Sequence, residues 1–311
     1  MSNISGPGQG QFMSVTELGV TSAVTTVLCV LCLWVNGLLL WTLRSKAMFR
    51  ETPRYSLLSC LLLADTLHLS LSQLLYLFAA SHTMLLFPLC AFITLLVEVA
   101  NEVSPLTVML MSLERYVAVC LPLRHGALLG GRRATVAVLL LWALSMLNSM
   151  VRVGLLMQFP FHTLDTLMLS DYCSSEAIKI APLSAIYDEG YIYFVFVFST
   201  LVILWSYVMV MTAAHRCASE QSVKARNTMM LHMLQLVFCM CATIYMPMIM
   251  AIARSRTLKR LTFVRVQNTL YVLIMILPRC LSVLIYGIKD QTIRATLLTI
   301  LCRKHKTQPR E

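Results

Sequence analysis

Seven apolar stretches, at roughly 18–43, 55–80, 88–113, 134–157, 191–213, 229–252 and 266–288, decide what this 311-residue chain can fold into. Each reaches the ~20 residues that a helix needs to cross a bilayer core. A helix suits that setting because it satisfies its own backbone hydrogen bonds where no water is available. With 58% hydrophobic and 13% charged residues, the chain is too apolar for a soluble globule and too short for several domains. The expected fold is an all-α membrane protein, a seven-transmembrane helix bundle with a short amphipathic cytosolic helix. An odd number of spans puts the two ends on opposite sides. The first seventeen residues carry no basic group and no short apolar core, so no signal peptide is read there. The first helix is expected to act as its own insertion signal.

The short loops set the orientation. Arg44, Lys46, Arg50 and Arg54 follow the first span, Arg124, Arg132 and Arg133 the third, and Arg216, Lys224 and Arg226 the fifth. Basic loops stay in the cytosol. The tail adds Arg303, Lys304, Lys306 and Arg310, so most of the net charge of +11 sits where anionic inner-leaflet lipid attracts it. Membrane lipid is therefore an expected partner, and nucleic acid is not needed to explain the charge. One loop runs against the rule, with Arg254, Arg256, Lys259, Arg260 and Arg265 on the outer side. Late charges steer topology weakly, so the assignment stands. Asn3-Ile4-Ser5 is a glycosylation acceptor on that same outer side.

At the end of the third span the chain reads Met111-Ser-Leu-Glu-Arg-Tyr-Val-Ala-Val-Cys-Leu-Pro-Leu-Arg-His125. Glu114 and Arg115 form an adjacent acid–base pair, and Pro122 marks the point where regular helix stops. In this string the sequence resembles the odorant receptors, notably their fish-type branch, within the rhodopsin-like (class A) G-protein-coupled receptors. The matches are Met111, Arg115-Tyr116-Val117-Ala118, Cys120 and Pro122-Leu123. Leu113, Glu114, Val119 and His125 stand where the family has Tyr, Asp, Ile and usually Tyr. Further matches are Trp142, Ser206-Tyr207, Lys224-Ala225 with Thr228 and His232, and Pro278-Arg279 with Tyr286. Met229, Ser282 and Val283 replace the family's Cys, Asn and Pro.

The resemblance implies a plasma-membrane receptor that binds a small-molecule odorant within the bundle and activates a heterotrimeric G protein. Glu114, Arg115, Tyr116, Lys224, His232 and Tyr286 are its implied coupling residues. Residues 1–17 are then an extracellular N-terminus, 18–288 the seven-transmembrane receptor domain and 289–311 a cytosolic amphipathic helix and tail.

Polar residues inside the spans are costly and so point to function or to internal pairing. Asn36, Asp65 and Ser104 occupy positions where the resemblance implies a shared polar cluster, with a sodium ion at Asp65 and Ser104. Read without the resemblance, they are satisfied core polar groups, and Asp65 is the natural partner of Asn36. Arg279 belongs to the same cluster and needs an acid, for which Asp65 and Glu102 are candidates. Glu98 and Glu102 lie one helical turn apart on one face, each costing roughly 2.5–3.5 kcal/mol at a helix centre unless compensated. With Tyr245 and Tyr271 they are the candidate ligand-binding residues, suited to an amine-type ligand. In the competing reading Arg279 or Arg152 neutralises the acids internally, and the tyrosines and methionines suit small apolar or polar odorants. Arg152 is also compatible with simple snorkelling, and the basic outer loop favours anions at first encounter. Pro247 predicts a kink in the sixth span.

Of the eleven cysteines, Cys29, Cys32, Cys60, Cys239, Cys241 and Cys280 fall within spans and Cys120, Cys217 and Cys302 face the reducing cytosol. Cys90 and Cys173 remain, and the resemblance implies the same bond between the third helix and the following outer loop. No nucleophile elbow, phosphate loop or zinc pattern is present, so neither an enzyme nor a cofactor is expected. Two alternatives stay open: a non-signalling receptor-like scaffold, suggested by Ser282-Val283, and an ion- or proton-coupled transporter, disfavoured because the spans show no repeat.

Overall fold

The computed structural model describes residues 14–158, 173, 182–216, 259–281 and 291–306, with short pieces between 230 and 255. Among the described residues six helices are long and apolar enough to cross a membrane: Thr16–Ser45, Pro53–Ala80, Phe87–Cys120, Gly131–Met157, Leu183–Ala213 and Leu261–Leu281. The sixth expected stretch, 229–252, falls in the piecewise region, where residues 248–255 are helical.

The elements in order are α1 (Val15–Ser45), α2 (Ala47–Glu51), α3 (Pro53–Ala80), α4 (Phe87–Cys120), α5 (His125–Leu129), α6 (Gly131–Met157), α7 (Pro182–Arg216), α8 (Arg260–Leu270) and α9 (Gln291–Lys306). Each start has a local cause. Ser14 caps α1 by accepting the Glu17 amide at 3.1 Å. Pro53 and Pro182 sit in the first turns of α3 and α7, where their missing N–H costs nothing. Gly131 opens α6 where the Glu51 carbonyl leaves no room for a Cβ. α4 ends at Cys120, and Pro122–Arg124 form a 3-10 turn.

α4 is the axis of the bundle, packed against α3, α6 and α7. One core cluster joins Leu39 and Leu43 of α1, Leu58 and Leu61 of α3, Met111 of α4 and Ile203 of α7. Trp34, Phe92, Leu147 and Phe194 are exposed on the outside, the side that faces lipid. Hydroxyls buried in these apolar helices donate back to the carbonyl four residues earlier, as Thr42, Thr66 and Thr107 do at 2.6–2.8 Å. α8 passes directly into a π-helical turn, Tyr271–Ile276, and continues helical to Leu281. Pro278 supplies no N–H to the Ile274 carbonyl inside that turn, which explains the local loosening of the ladder.

Two disulfides are present among the described residues. Cys90 of α4 is bonded to Cys173, with Cα atoms 5.6 Å apart, and Leu75, Phe78 and Leu85 pack around the bond. Cys32 of α1 is bonded to Cys280, Cα atoms 5.2 Å apart. By sequence the two lie inside separate spans, Cys32 in the first and Cys280 in the last. Periodicity shows that a cysteine faces inward, not which helix it meets. The bond to Cys173 ties α4 to the segment after α6, 83 residues along the chain. Cys90→Ser is expected to destabilise by about 2–5 kcal/mol and to deplete the receptor at the cell surface, measured by labelling an N-terminal tag on intact cells.

Candidate functional site

Three helices converge on one guanidinium. Arg152 of α6 places its Nη2 2.6 Å from Glu102 Oε1 on α4, a contact by charge rather than hydrogen-bond geometry, and its Nε donates to Asp188 Oδ1 of α7 at 2.7 Å. Asn148, one turn before Arg152, donates to the same Glu102 oxygen at 2.7 Å. The Tyr187 hydroxyl donates to Asn148 Oδ1 at 2.6 Å, and the Arg152 guanidinium lies 5.9 Å from the Tyr191 ring centre. Arg152 is only 7% exposed, so it does not snorkel: two carboxylates within reach hold it inside. Glu98, one turn nearer the Cys90 end, is half-buried and acts electrostatically on both Arg152 and Glu102. Asp188 escaped sequence reasoning because the fifth span was expected to start at 191, whereas α7 starts at Pro182. The signal was Arg152 itself, since a buried cation demands an acid.

Tyr245 and Tyr271 belong to a second, aromatic cluster against α1 and α3, with ring centres 6.4 Å apart. Tyr271 stacks on Tyr76 at 5.4 Å and donates to Gln73 Oε1 at 3.4 Å, and Gln73 donates in turn to Thr26 at 3.1 Å. Tyr245 donates to the Gln267 carbonyl at 3.3 Å.

A third cluster lies deeper. Ser104 donates to Asp65 Oδ1 at 2.9 Å, and Arg279 Nη1 is 3.7 Å from that oxygen. Arg279 Nη2 donates to Asn101 Oδ1 at 3.3 Å, and His68 is buried one turn from Asp65. Of the two acids open to Arg279, the structure pairs it with Asp65. Asn36 is not part of this set. Its Nδ2 lies 3.4 Å from Thr66 Oγ1, because Thr66 is about 100° round α3 from Asp65 and faces α1 while Asp65 faces α4. A sodium ion does not fit these donors. The carboxylate already faces a guanidinium, and a second monovalent cation about 4 Å from it would meet repulsion of about 4 kcal/mol at an effective dielectric of about 20.

At the opposite end of α4, Arg115 Nε is 3.2 Å from Glu114 Oε2, and His125 Nε2 is 3.4 Å from Glu114 Oε1. The Tyr116 ring packs on Trp205 of α7 at 4.7 Å. Lys224, His232, Tyr286 and Asn3 lie outside the described residues.

The model of the 7 transmembrane receptor (rhodopsin family) matches residues 35–286. A zebrafish (Danio rerio) protein, Odorant receptor 131-2, is 27% identical, with 98% of this chain and 95% of the relative covered. Olfactory receptor 1500 of Rattus norvegicus is 24% identical over 66% of this chain and 65% of its own length. Human Olfactory receptor 2AG1 is 31% identical over 45% of this chain and 44% of its own. A motif at the end of α4, a helical bundle and a family match across most of the chain agree: this chain is a receptor and not an enzyme, and it belongs to the rhodopsin family of seven-transmembrane receptors, in the fish-type odorant-receptor branch.

Proposed function

We propose that this receptor sits in the plasma membrane with its N-terminus outside and its C-terminus in the cytosol, binds a small odorant within the bundle and activates a heterotrimeric G protein. The observation that carries the ligand reading is the cluster in which the buried Glu102 and Asp188 hold the Arg152 guanidinium and the half-buried Glu98 acts on it by charge. Glu98 sets a carboxylate at the edge of that cluster, and a charge-assisted hydrogen bond to a carboxylate favours an amine or another strong hydrogen-bond donor as ligand. Glu102 is committed to Arg152 and Asn148, so its part is chiefly to hold the cluster. Glu98 lies eight residues along α4 from Cys90, about 12 Å of helix, and a ligand entering from that end meets it first.

The test is a screen of amines and neutral odorants on transfected cells, read by cAMP or calcium. Glu98→Gln is expected to weaken the response to an amine by about 10–100-fold in potency, the worth of a hydrogen bond to a charged group. Unchanged potency of every active ligand in Glu98→Gln and Glu102→Gln would return both glutamates to a structural role. A receptor-like scaffold that binds without coupling is the second reading, favoured by Ser282 and Val283 at the positions of the family's Asn and Pro. Specific binding at the cell surface with no second-messenger response would select it.

A further inference from the structure

The deep cluster on Asp65 already contains a cation, and that cation is covalently part of the chain. We propose that Arg279 takes the place of a mobile sodium ion in this receptor, making it indifferent to sodium, and that removing the guanidinium turns Asp65 and Ser104 into a sodium site. Asp65 and Arg279 are 5% and 7% exposed and 3.7 Å apart, so the pair is close to neutral inside the bundle. A bound sodium ion would leave a net positive charge buried there. The oxygen ligands that a small hard cation needs are engaged by the chain itself. Ser104 points its hydroxyl proton at Asp65, and Asn101 turns its carbonyl oxygen to Arg279. Take the guanidinium away and the Asp65 carboxylate, the Ser104 oxygen and the Asn101 carbonyl are left around a space that has lost its positive charge. Oxygen donors of this kind suit a hard cation.

The tethered ion differs from a free one in its reach. Arg279 follows the π-helical turn of α8, whereas Asp65 belongs to α3 and Asn101 to α4, so one side chain links three spans. A mobile ion can leave while the helices stay in place. Arg279 leaves only if the helix that carries it moves. The inference is independent of which odorant binds and of whether a G protein is engaged.

The experiment compares melting temperatures of the purified full-length receptor in sodium chloride and in choline chloride at equal ionic strength. The wild type is expected to melt alike in both, and a sodium-specific rise would overturn the proposal. Arg279→Gln is expected to melt higher in sodium by on the order of 2–4 °C at a concentration well above the ion's dissociation constant. A folded Arg279→Gln protein that melts alike in both salts also overturns it. Asp65→Asn/Arg279→Gln, which lacks both charges, is expected to fold and ignore sodium, and a sodium response there would place the ion elsewhere and refute the assignment. For a poorly folded Arg279→Gln, extraction from membranes in the two salts gives a second reading: a higher yield of folded protein in sodium supports the site, and equal yields refute it.

Discussion

Replacing Arg152 by methionine is expected to leave little receptor at the cell surface. Methionine matches the length of the aliphatic stem, so the change removes charge more than volume. It strands Glu102 and Asp188, both buried, around a side chain that cannot pair with them. Breaking a buried ion pair from one side costs about 3–5 kcal/mol, a large share of the ~5–15 kcal/mol that holds a typical domain folded. Adding Glu102→Gln and Asp188→Asn to Arg152→Met should restore much of the lost surface signal, because both fully buried carboxylates go with the guanidinium and only the half-buried Glu98 keeps its charge. Surface labelling of the wild type, the single variant and the triple variant checks this. Wild-type levels of Arg152→Met would show that the cluster does not hold α4, α6 and α7 together.

Arg115→Ala is expected to have the opposite profile, near-normal delivery with signalling abolished. The Arg115 side chain is 19% exposed at the end of α4, and His125 stays beside Glu114 when the guanidinium is removed. Its proposed role is in exchange. In the resting receptor it is held by Glu114, which His125 also approaches, and on activation it turns to the G protein beside Lys224 and His232. The measurement is ligand-evoked second messenger at matched surface expression. A normal response in Arg115→Ala would sink the assignment of this end of α4 to coupling.

The spans were legible because each crosses one solvent and must therefore be apolar along its length. The string from Met111 to His125 was legible because it marks where that solvent ends. Partnership between spans was harder to read. Asn36 was matched to Asp65 on the strength of two buried polar groups in neighbouring helices, yet one residue's rotation on α3 gives it Thr66 instead. Arg152 and Asp188 could not be paired while the helix carrying Asp188 was expected to start after it. Cys32 and Cys280, 248 residues apart, were read as separate apolar positions. In each case the sequence shows which face of a helix is buried, and the missing information is the depth and rotation of the helix opposite.

The two buried arginines also impose a timetable on synthesis. The chain is made in the order Asp65, Glu98, Glu102, Arg152, Asp188, Arg279, so the acids of α3 and α4 precede every cation that pairs with them in the finished bundle. Arg279 follows Asp65 by roughly two hundred residues, about 10–40 s of translation at 5–20 residues per second. Throughout that interval α3 resides in or beside the bilayer with a carboxylate whose guanidinium does not yet exist. A chain shortened before Arg279 never gains that partner, so the last span completes the charge balance of the second.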